Sequence, residues 1–357
     1  RQNLDLFHWA MRRDTTDPEV MAAIAKEVGT EDRLRALLLF TVAVVASTNP
    51  TALSSWKAQM LEDLYLAVAA YMEQTRAGEE EPTRADLAAE LRAQVLEAAP
   101  AADPDVSLAF LDVLLRSMPH RYTLSNQAEA IIGHARVVEG RPAGTVRVAL
   151  FSGPAPEVAE LLVVSDDRSG LLADIAAVLG ARRLSVVTAQ IYTRRLPSNP
   201  EMAEAVDIFS VQREAGGSVD PAVAKLVEED LARLGEGALS TEQVVDQLDV
   251  TPAWSRRRVP EVETEVIVDN AVSSRFTVID VFTKDRIGLL HFLSRTLHES
   301  GLSIALSKIS TEGARAADVF YVDRVGDEET LRTLPTLLRK ALARFHEEAE
   351  AREEAAG

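Results

Sequence analysis

The sequence predicts an α+β protein, an all-α first part followed by two copies of a strand-rich module, and three observations carry this. Up to about residue 140, apolar residues recur at a helical spacing near 3.6. From Thr145 the pattern turns to alternation and β-branched runs, as in Val146, Val148 and Leu150 and then Glu160-Leu-Leu-Val-Val-Ser165. Finally, Asp167-Arg-Ser-Gly-Leu-Leu172 returns 118 positions later as Asp285-Arg-Ile-Gly-Leu-Leu290, an internal repeat. A chain of 357 residues that is 47% apolar can bury more than one core, so two or three domains are expected.

The helices follow in order. Residues 14–17 give a polar start, Pro18 suits a first turn, and Val20, Ile24, Ala25 and Val28 share a face before Gly29. A second helix covers 31–47 and stops near Asn49-Pro50, and Trp56, Met60, Leu61, Leu64 and Val68 mark a third. The acidic run 78–82 reads as a solvated turn. Thr83-Arg84-Ala85-Asp86 then opens a helix to about residue 98, which Pro100 and Pro104 are expected to interrupt. Helices at 106–116 and 125–138 follow, the latter with Glu129 in its first turn, and a domain boundary falls at 140–144.

In each repeat a strand (161–164 or 276–282) runs into Asp-Arg-x-Gly and then a helix. The helix faces correspond, Leu171, Leu172, Ile175 and Leu179 against Leu289, Leu290, Leu293 and Leu297. A second strand (184–192 or 302–309), a third (206–211 or 317–322) and a last helix (220–234 or 328–345) close the unit. The first copy carries extra residues in the hairpin around 196–202. This β-α-β-β-α order, with room for a fourth strand between the modules, is a ferredoxin-like α+β sandwich used twice.

Charge and composition exclude several functions. With 56 acidic against 38 basic side chains, a net charge of −18 repels nucleic-acid backbones and anionic lipid alike, so neither nucleic acid nor membrane is an expected partner. The longest apolar stretch, 37–46, is about half of the roughly 20 residues a spanning helix needs. Cysteine is absent, which removes thiolate metal sites and cysteine nucleophiles and fits a reducing compartment, so the cytoplasm is the expected location. Arg1 in place of methionine reads as the start of a piece of a longer chain.

No motif argues for catalysis. His8, His120, His134, His291, His298 and His346 stand at no metal-ligand spacing, Asp103 and Asp105 flank Pro104 as capping residues, and Arg256-Arg257-Arg258 reads as a solvated charge run. What remains is the repeated Asp-Arg-x-Gly-Leu-Leu. After a strand and before a helix, the glycine lets the backbone turn closely, and the first free N–H groups form a carboxylate site. The aspartate is placed to hold an ammonium group, which suits a small zwitterion. The alternative is an N-cap and tight turn with a purely geometric role.

These residues resemble those of ACT domains, the amino-acid-sensing module. The pair resembles the C-terminal end of bacterial PII uridylyltransferase/uridylyl-removing enzymes. Ala189-Gln-Ile-Tyr-Thr193, Val206-Asp-Ile-Phe209, Val268-Asp-Asn270, Thr277-Val-Ile-Asp280 and Ala317-Asp-Val-Phe-Tyr-Val322 carry the likeness, with Pro119-His-Arg-Tyr-Thr-Leu-Ser125 and His134-Ala-Arg136 upstream. Arg12-Arg-Asp14, Asp17-Pro18, Thr41-Val-Ala43, Trp56-Lys-Ala-Gln59 and Leu64-Tyr65 resemble the closing part of that family's HD hydrolase domain.

The resemblance implies the following organisation: 1–140, a partial, degenerate HD-like helical region with an extension; 145–240, the first ACT domain; 241–275, a linker or shared strand; 276–350, the second ACT domain. It implies Mg or Mn in the parent family. Here the family's histidines fall on Gln2 and Asn3 and its aspartate on Val44, so no metal ligand and no catalytic residue is assigned to this chain, and no cofactor. By matching position the ligand loops are Asp167, Gly170 and Leu171, and Asp285, Gly288 and Leu289. Ser169 and Ile287 stand where the family often has proline. The resemblance further implies glutamine or another small amino acid as ligand, the PII protein as target of the parent enzyme, and a homo-oligomer joined through ACT domains. A uridylyl-removing metal phosphohydrolase fragment and a purely structural ACT pair are the alternatives.

Overall fold

The computed structural model describes residues 5–48, 53–77, 84–153, 155–196, 199–214, 216–246, 262–286, 288–312 and 314–355. Gln2, Asn3, Asn49-Pro50, the acidic run 78–82, Thr83, Arg256-Arg257-Arg258 and Ile287 lie outside the described residues. The chain divides into two compact units, 1–166 with 192–207, and 167–191 with 208–357.

The first unit opens on helices α1 (Asp5–Arg12), α2 (Pro18–Val28), α3 (Glu31–Thr48) and α4 (Ser55–Ala77). Asp17 caps α2 by accepting the Glu19 N–H at 3.0 Å, and Gly29 ends it at φ 84°, so both sequence signals act as expected. Leu6, Ala10, Ile24, Leu34, Leu61, Leu64 and Val68 form the common core. Next come α5 (Arg84–Ala102), α6 (Leu108–Ser117), α7 (His120–Ser125) and α8 (Ala128–Glu139). Pro100 does not interrupt α5. It sits in the last turn, where one missing N–H removes a single bond, and buried Ala99 still accepts the Asp103 N–H at 2.9 Å.

Hairpin β1 (Arg147–Ser152) and β2 (Ala159–Asp166) pairs Leu150 with Leu161 and Val148 with Val163. Strand β4 (Thr193–Leu196) pairs with the start of β5 (Asn199–Arg213), Thr193 opposite Ala205. Buried His134 of α8 bridges these elements, its Nδ1 3.0 Å from the Tyr122 hydroxyl and its Nε2 2.7 Å from Glu160. A buried ion network lies beside it. Arg141 reaches Glu204 at 2.8 Å and Asp166 at 2.9 Å, while Arg194 reaches the other oxygen of Glu204 at 2.6 Å and the Ser117 hydroxyl at 3.1 Å.

The second unit holds α9 (Leu171–Ala181), β3 (Leu184–Gln190), the end of β5, α10 (Ala222–Gly235), α11 (Thr241–Asp246), β6 (Glu265–Asp269), β7 (Phe276–Lys284), α12 (Leu289–Glu299), β8 (Ile304–Lys308), β9 (Thr311–Glu312), β10 (Arg315–Asp323) and α13 (Glu328–Ala355). Its strands hydrogen-bond in the order β5-β3-β8-β10-β7-β6, and each of these pairings is antiparallel. The fourth strand of the second module is β6, which precedes the module instead of ending it and pairs Ile267 with Asp280. The order is therefore ββαββα, and β1 stands before β2 in the same way. An outer strand hydrogen-bonds through its backbone alone, so supply from either end of the module satisfies the sheet.

The repeats meet edge to edge. Ala189 of β3 stands opposite Ser307 of β8, its own counterpart in the repeat. The flanking bonds are symmetric: Ile191 N–H donates to Ala305 at 3.0 Å, and its equivalent Ile309 donates to Val187, the equivalent of Ala305, at 2.7 Å. Helices α9 and α12 pack together, with His291 Nδ1 2.7 Å from the Ala173 carbonyl, again equivalent positions 118 apart.

Removing the centre of the ion network is expected to cost far more than a surface pair does. Glu204→Ala leaves Arg141 and Arg194, each under 5% exposed, without their shared carboxylate. Denaturant unfolding should show a loss of about 3–5 kcal/mol, against under 1 kcal/mol for Glu31→Ala at the exposed Arg35 pair.

Candidate functional site

Both Asp-Arg-x-Gly segments form the turn that the sequence suggests. Gly170 (φ 77°) and Gly288 (φ 83°) sit left-handed immediately before α9 and α12. Leu171 N–H closes the first turn onto the Arg168 carbonyl at 3.2 Å, and Leu289 closes the second onto Arg286 at 3.1 Å. The first helical N–H in each loop is therefore already used, and both leucine side chains are core residues. A carboxylate acceptor would find the N–H groups of the next two residues, Leu172 and Ala173, or Leu290 and His291. A Cβ built on Gly170 meets no protein atom within 4 Å, so within the fold this glycine is required for its left-handed backbone.

The two loops differ in their surroundings. In the first, Asp167 is exposed and Arg168 turns back to Asp174 of α9 at 2.6 Å. In the second, Arg286 and Lys284 both bind Glu350 of α13, at 2.7 and 3.0 Å. Asp285 accepts the Thr311 hydroxyl at 3.0 Å, and its backbone N–H donates to Ala314 at 2.9 Å. Surrounding protein raises the Asp285 carboxyl above its ordinary value, against the bonds from Thr311 and the Arg286 backbone that lower it. Asp285 still reaches solvent, so its charge is partly screened.

Behind it stands an acid that the sequence reading did not assign to the site. Asp318 of β10 is 2% exposed and accepts the Ser310 backbone N–H, while its Oδ1 and the Ser310 hydroxyl have no hydrogen-bond partner. Burial first, and the neighbouring Asp285 carboxylate second, push the Asp318 carboxyl well above the usual carboxylate range. The signal was present in the sequence, since Asp207 and Asp318 interrupt otherwise apolar strands at matching positions, Val206-Asp-Ile-Phe209 and Ala317-Asp-Val-Phe320. Asp207 is buried too and accepts the Tyr192 N–H at 3.1 Å.

The residues do not fit a divalent metal. Val44 in α3 offers no ligand atom, and among the described residues no three His, Asp or Glu side chains converge on one point. Nor is any helix among them long and apolar enough to cross a membrane.

No family model and no solved structure matches the chain. Curated relatives do. One from Caulobacter vibrioides is 31% identical over 95% of this chain and 36% of its own length, and one from Burkholderia thailandensis is 32% identical over 96% and 38%. A third, from Gluconobacter oxydans, is 33% identical over 90% and 33%. Each is named a bifunctional uridylyltransferase/uridylyl-removing enzyme. The chain is homologous to one segment of these enzymes. It spans about a third of the length of the uridylyltransferase/uridylyl-removing relatives, and the match takes in the helical part and both repeats.

Two outcomes follow from the site geometry. Gly170→Ala is expected to lower stability by about 1 kcal/mol through backbone strain alone, measured by denaturant unfolding. Asp318→Asn removes a proton that the folded state holds more tightly than the unfolded one. That contribution is full below the unfolded value of about 4 and is lost as pH rises through the raised folded value. Thermal melts should therefore find Asp318→Asn more stable than the parent chain at pH 7, with the gain shrinking towards pH 4.

Proposed function

We propose that the chain is the regulatory region of a PII uridylyltransferase-like nitrogen-status protein. In this reading a degenerate HD-like helical part precedes two ACT modules, 145–240 and 276–350. The modules bind a small amino acid, glutamine, and thereby bias uridylylation and deuridylylation of PII by the parent protein. The observation that carries the reading is the repeated loop: a left-handed glycine opening a helix, an aspartate three residues before it, and the same arrangement twice. The helix start offers N–H donors to a carboxylate, and the acid offers a partner to an ammonium group. The names of the relatives support the connection to uridylyl transfer and removal.

A ligand biases an enzyme only by binding its two states unequally, so the modules must couple to catalytic parts elsewhere in the parent. The hydrolase reading finds no support in the side chains, because Val44 stands at the position of the anionic ligand. In the purely structural reading, the β3–β8 pairing that joins the two modules within a single chain would be the whole purpose of the repeat.

Calorimetric titration of this chain with L-glutamine tests the proposal, with L-glutamate as control and magnesium or manganese varied separately. Saturable, glutamine-selective and metal-independent heat is the expected result. Absence of heat with every amino acid would leave the structural reading standing.

A further inference from the structure

The repeats are alike in backbone and unlike in what surrounds their buried acids. In the first, the position equivalent to Ser310 is Tyr192. Its ring is buried, lies edge-on to Tyr122 at 5.3 Å and carries the Arg121 guanidinium over its face at 4.4 Å. An aromatic side chain fills that position. In the second, the same position holds a serine hydroxyl without a partner, and Asp318, which accepts the Ser310 N–H, has one carboxylate oxygen without a partner. Unsatisfied buried oxygens are rare in folded proteins, because each forfeits its hydration, and one on each of two residues joined in this way points to a missing donor.

The chemistry of that donor follows from the acceptors. Asp318 and Asp285 flank the Ser310-Thr311 turn, Asp318 bound to the Ser310 N–H and Asp285 to the Thr311 hydroxyl. Asp285 is exposed, so the approach is past it. Two acids and a free hydroxyl call for a compact cation with several N–H donors. The start of α12 follows Asp285 within four residues and offers N–H groups to an anion.

We propose that the second repeat is the ligand-binding one, and that Asp318, with Asp285 and the Ser310 hydroxyl, receives the ammonium group of a free amino acid whose carboxylate faces the start of α12. The first repeat, which has Tyr192 turned to Tyr122 and Arg121 in place of that serine hydroxyl, binds no amino acid. This rests on the amino-acid-sensing reading above and assigns it to one site per chain. A paired carboxylate also explains why a buried acid with a raised affinity for protons is placed there: an arriving ammonium supplies the positive charge that burial otherwise withholds.

The test compares two probes, L-glutamine and 4-carbamoylbutanoate, which is glutamine without its ammonium group, on the full chain and on Asp318→Asn. The parent chain should bind one equivalent of glutamine and prefer it to the deaminated analogue by about ten- to a hundredfold. Asp318→Asn should bring that preference close to one, because ligand and protein have lost the two halves of one interaction. A general loss of structure would weaken both probes equally, so a preserved preference overturns the proposal. Ser310→Ala, which removes only the hydroxyl, should reduce the preference by a smaller factor and serves if Asp318→Asn does not fold. Two equivalents of glutamine, or equal affinity of the parent chain for both probes, would also overturn it while leaving amino-acid sensing intact. No binding of either probe to the parent chain would overturn both.

Discussion

The second unit depends on the hydrogen-bonded junction of β3 and β8. Each repeat alone would present an open strand edge, and an open edge must be covered or blunted to prevent uncontrolled pairing. Here each repeat covers the other. The symmetric bonds from Ile191 and Ile309 set the register at Ala189 and Ser307, and that register brings α9 against α12. At such an axis a residue meets its own counterpart, so two large side chains would collide. The pair Ala173 and His291 avoids this by inequality, the imidazole binding the carbonyl of the small residue. Ser169 and His298, which are not equivalent positions, also meet at 2.6 Å. The junction thus joins two copies of one fold whose sequences differ at Ala173 and His291.

The repeats also diverge away from the junction. The first has turned its β4–β5 hairpin into an anchor, where Arg194 and Glu204 are buried with Arg141 and bind Ser117 and Asp166. Equivalent positions in the second repeat carry Glu312 and Arg315, charges on a two-residue strand and its partner. A buried Arg-Glu-Arg arrangement gives up hydration that only good geometry offsets, and its most dependable product is a fixed register. The second repeat keeps Ser310 and Thr311 beside its buried acid.

Much of this architecture is legible in the sequence because it rests on local rules. Asp17-Pro18 and Gly29 bound α2, and the glycine of Asp-Arg-x-Gly sits left-handed before each helix, as short-range chemistry dictates. The differences arise where distant parts decide. Pro100 stays within α5 because buried Ala99 holds the last turn in the helical core. The outer strand β6 comes from the segment before its module, since sheet edges accept a strand by backbone bonding whatever its place in the chain. Helix α11 carries no strong periodic signal of its own, and Thr241 at its start binds Asp174 of α9 at 2.7 Å. At the candidate site the loop was legible and its floor was not: Asp318 is 33 residues from Asp285, and only sheet pairing brings β10 beside β7.

The floor of the site is also where folding and binding make opposite demands. A side chain on that strand between Ala317 and Val319 would fold best as an apolar or neutral group, since burying an ionised carboxylate costs more than one backbone N–H returns. The acid remains at both Asp207 and Asp318, and in the first repeat Asp207 accepts the Tyr192 N–H. In the second repeat the Ser310 hydroxyl and one carboxylate oxygen are left unsatisfied. Local instability of this kind persists where a site must discriminate, because a donor that satisfies those oxygens gains what the empty fold lacks, and a molecule without that donor gains nothing. In the proposed site, the energy withheld from folding at Asp318 would in this way be available for selectivity.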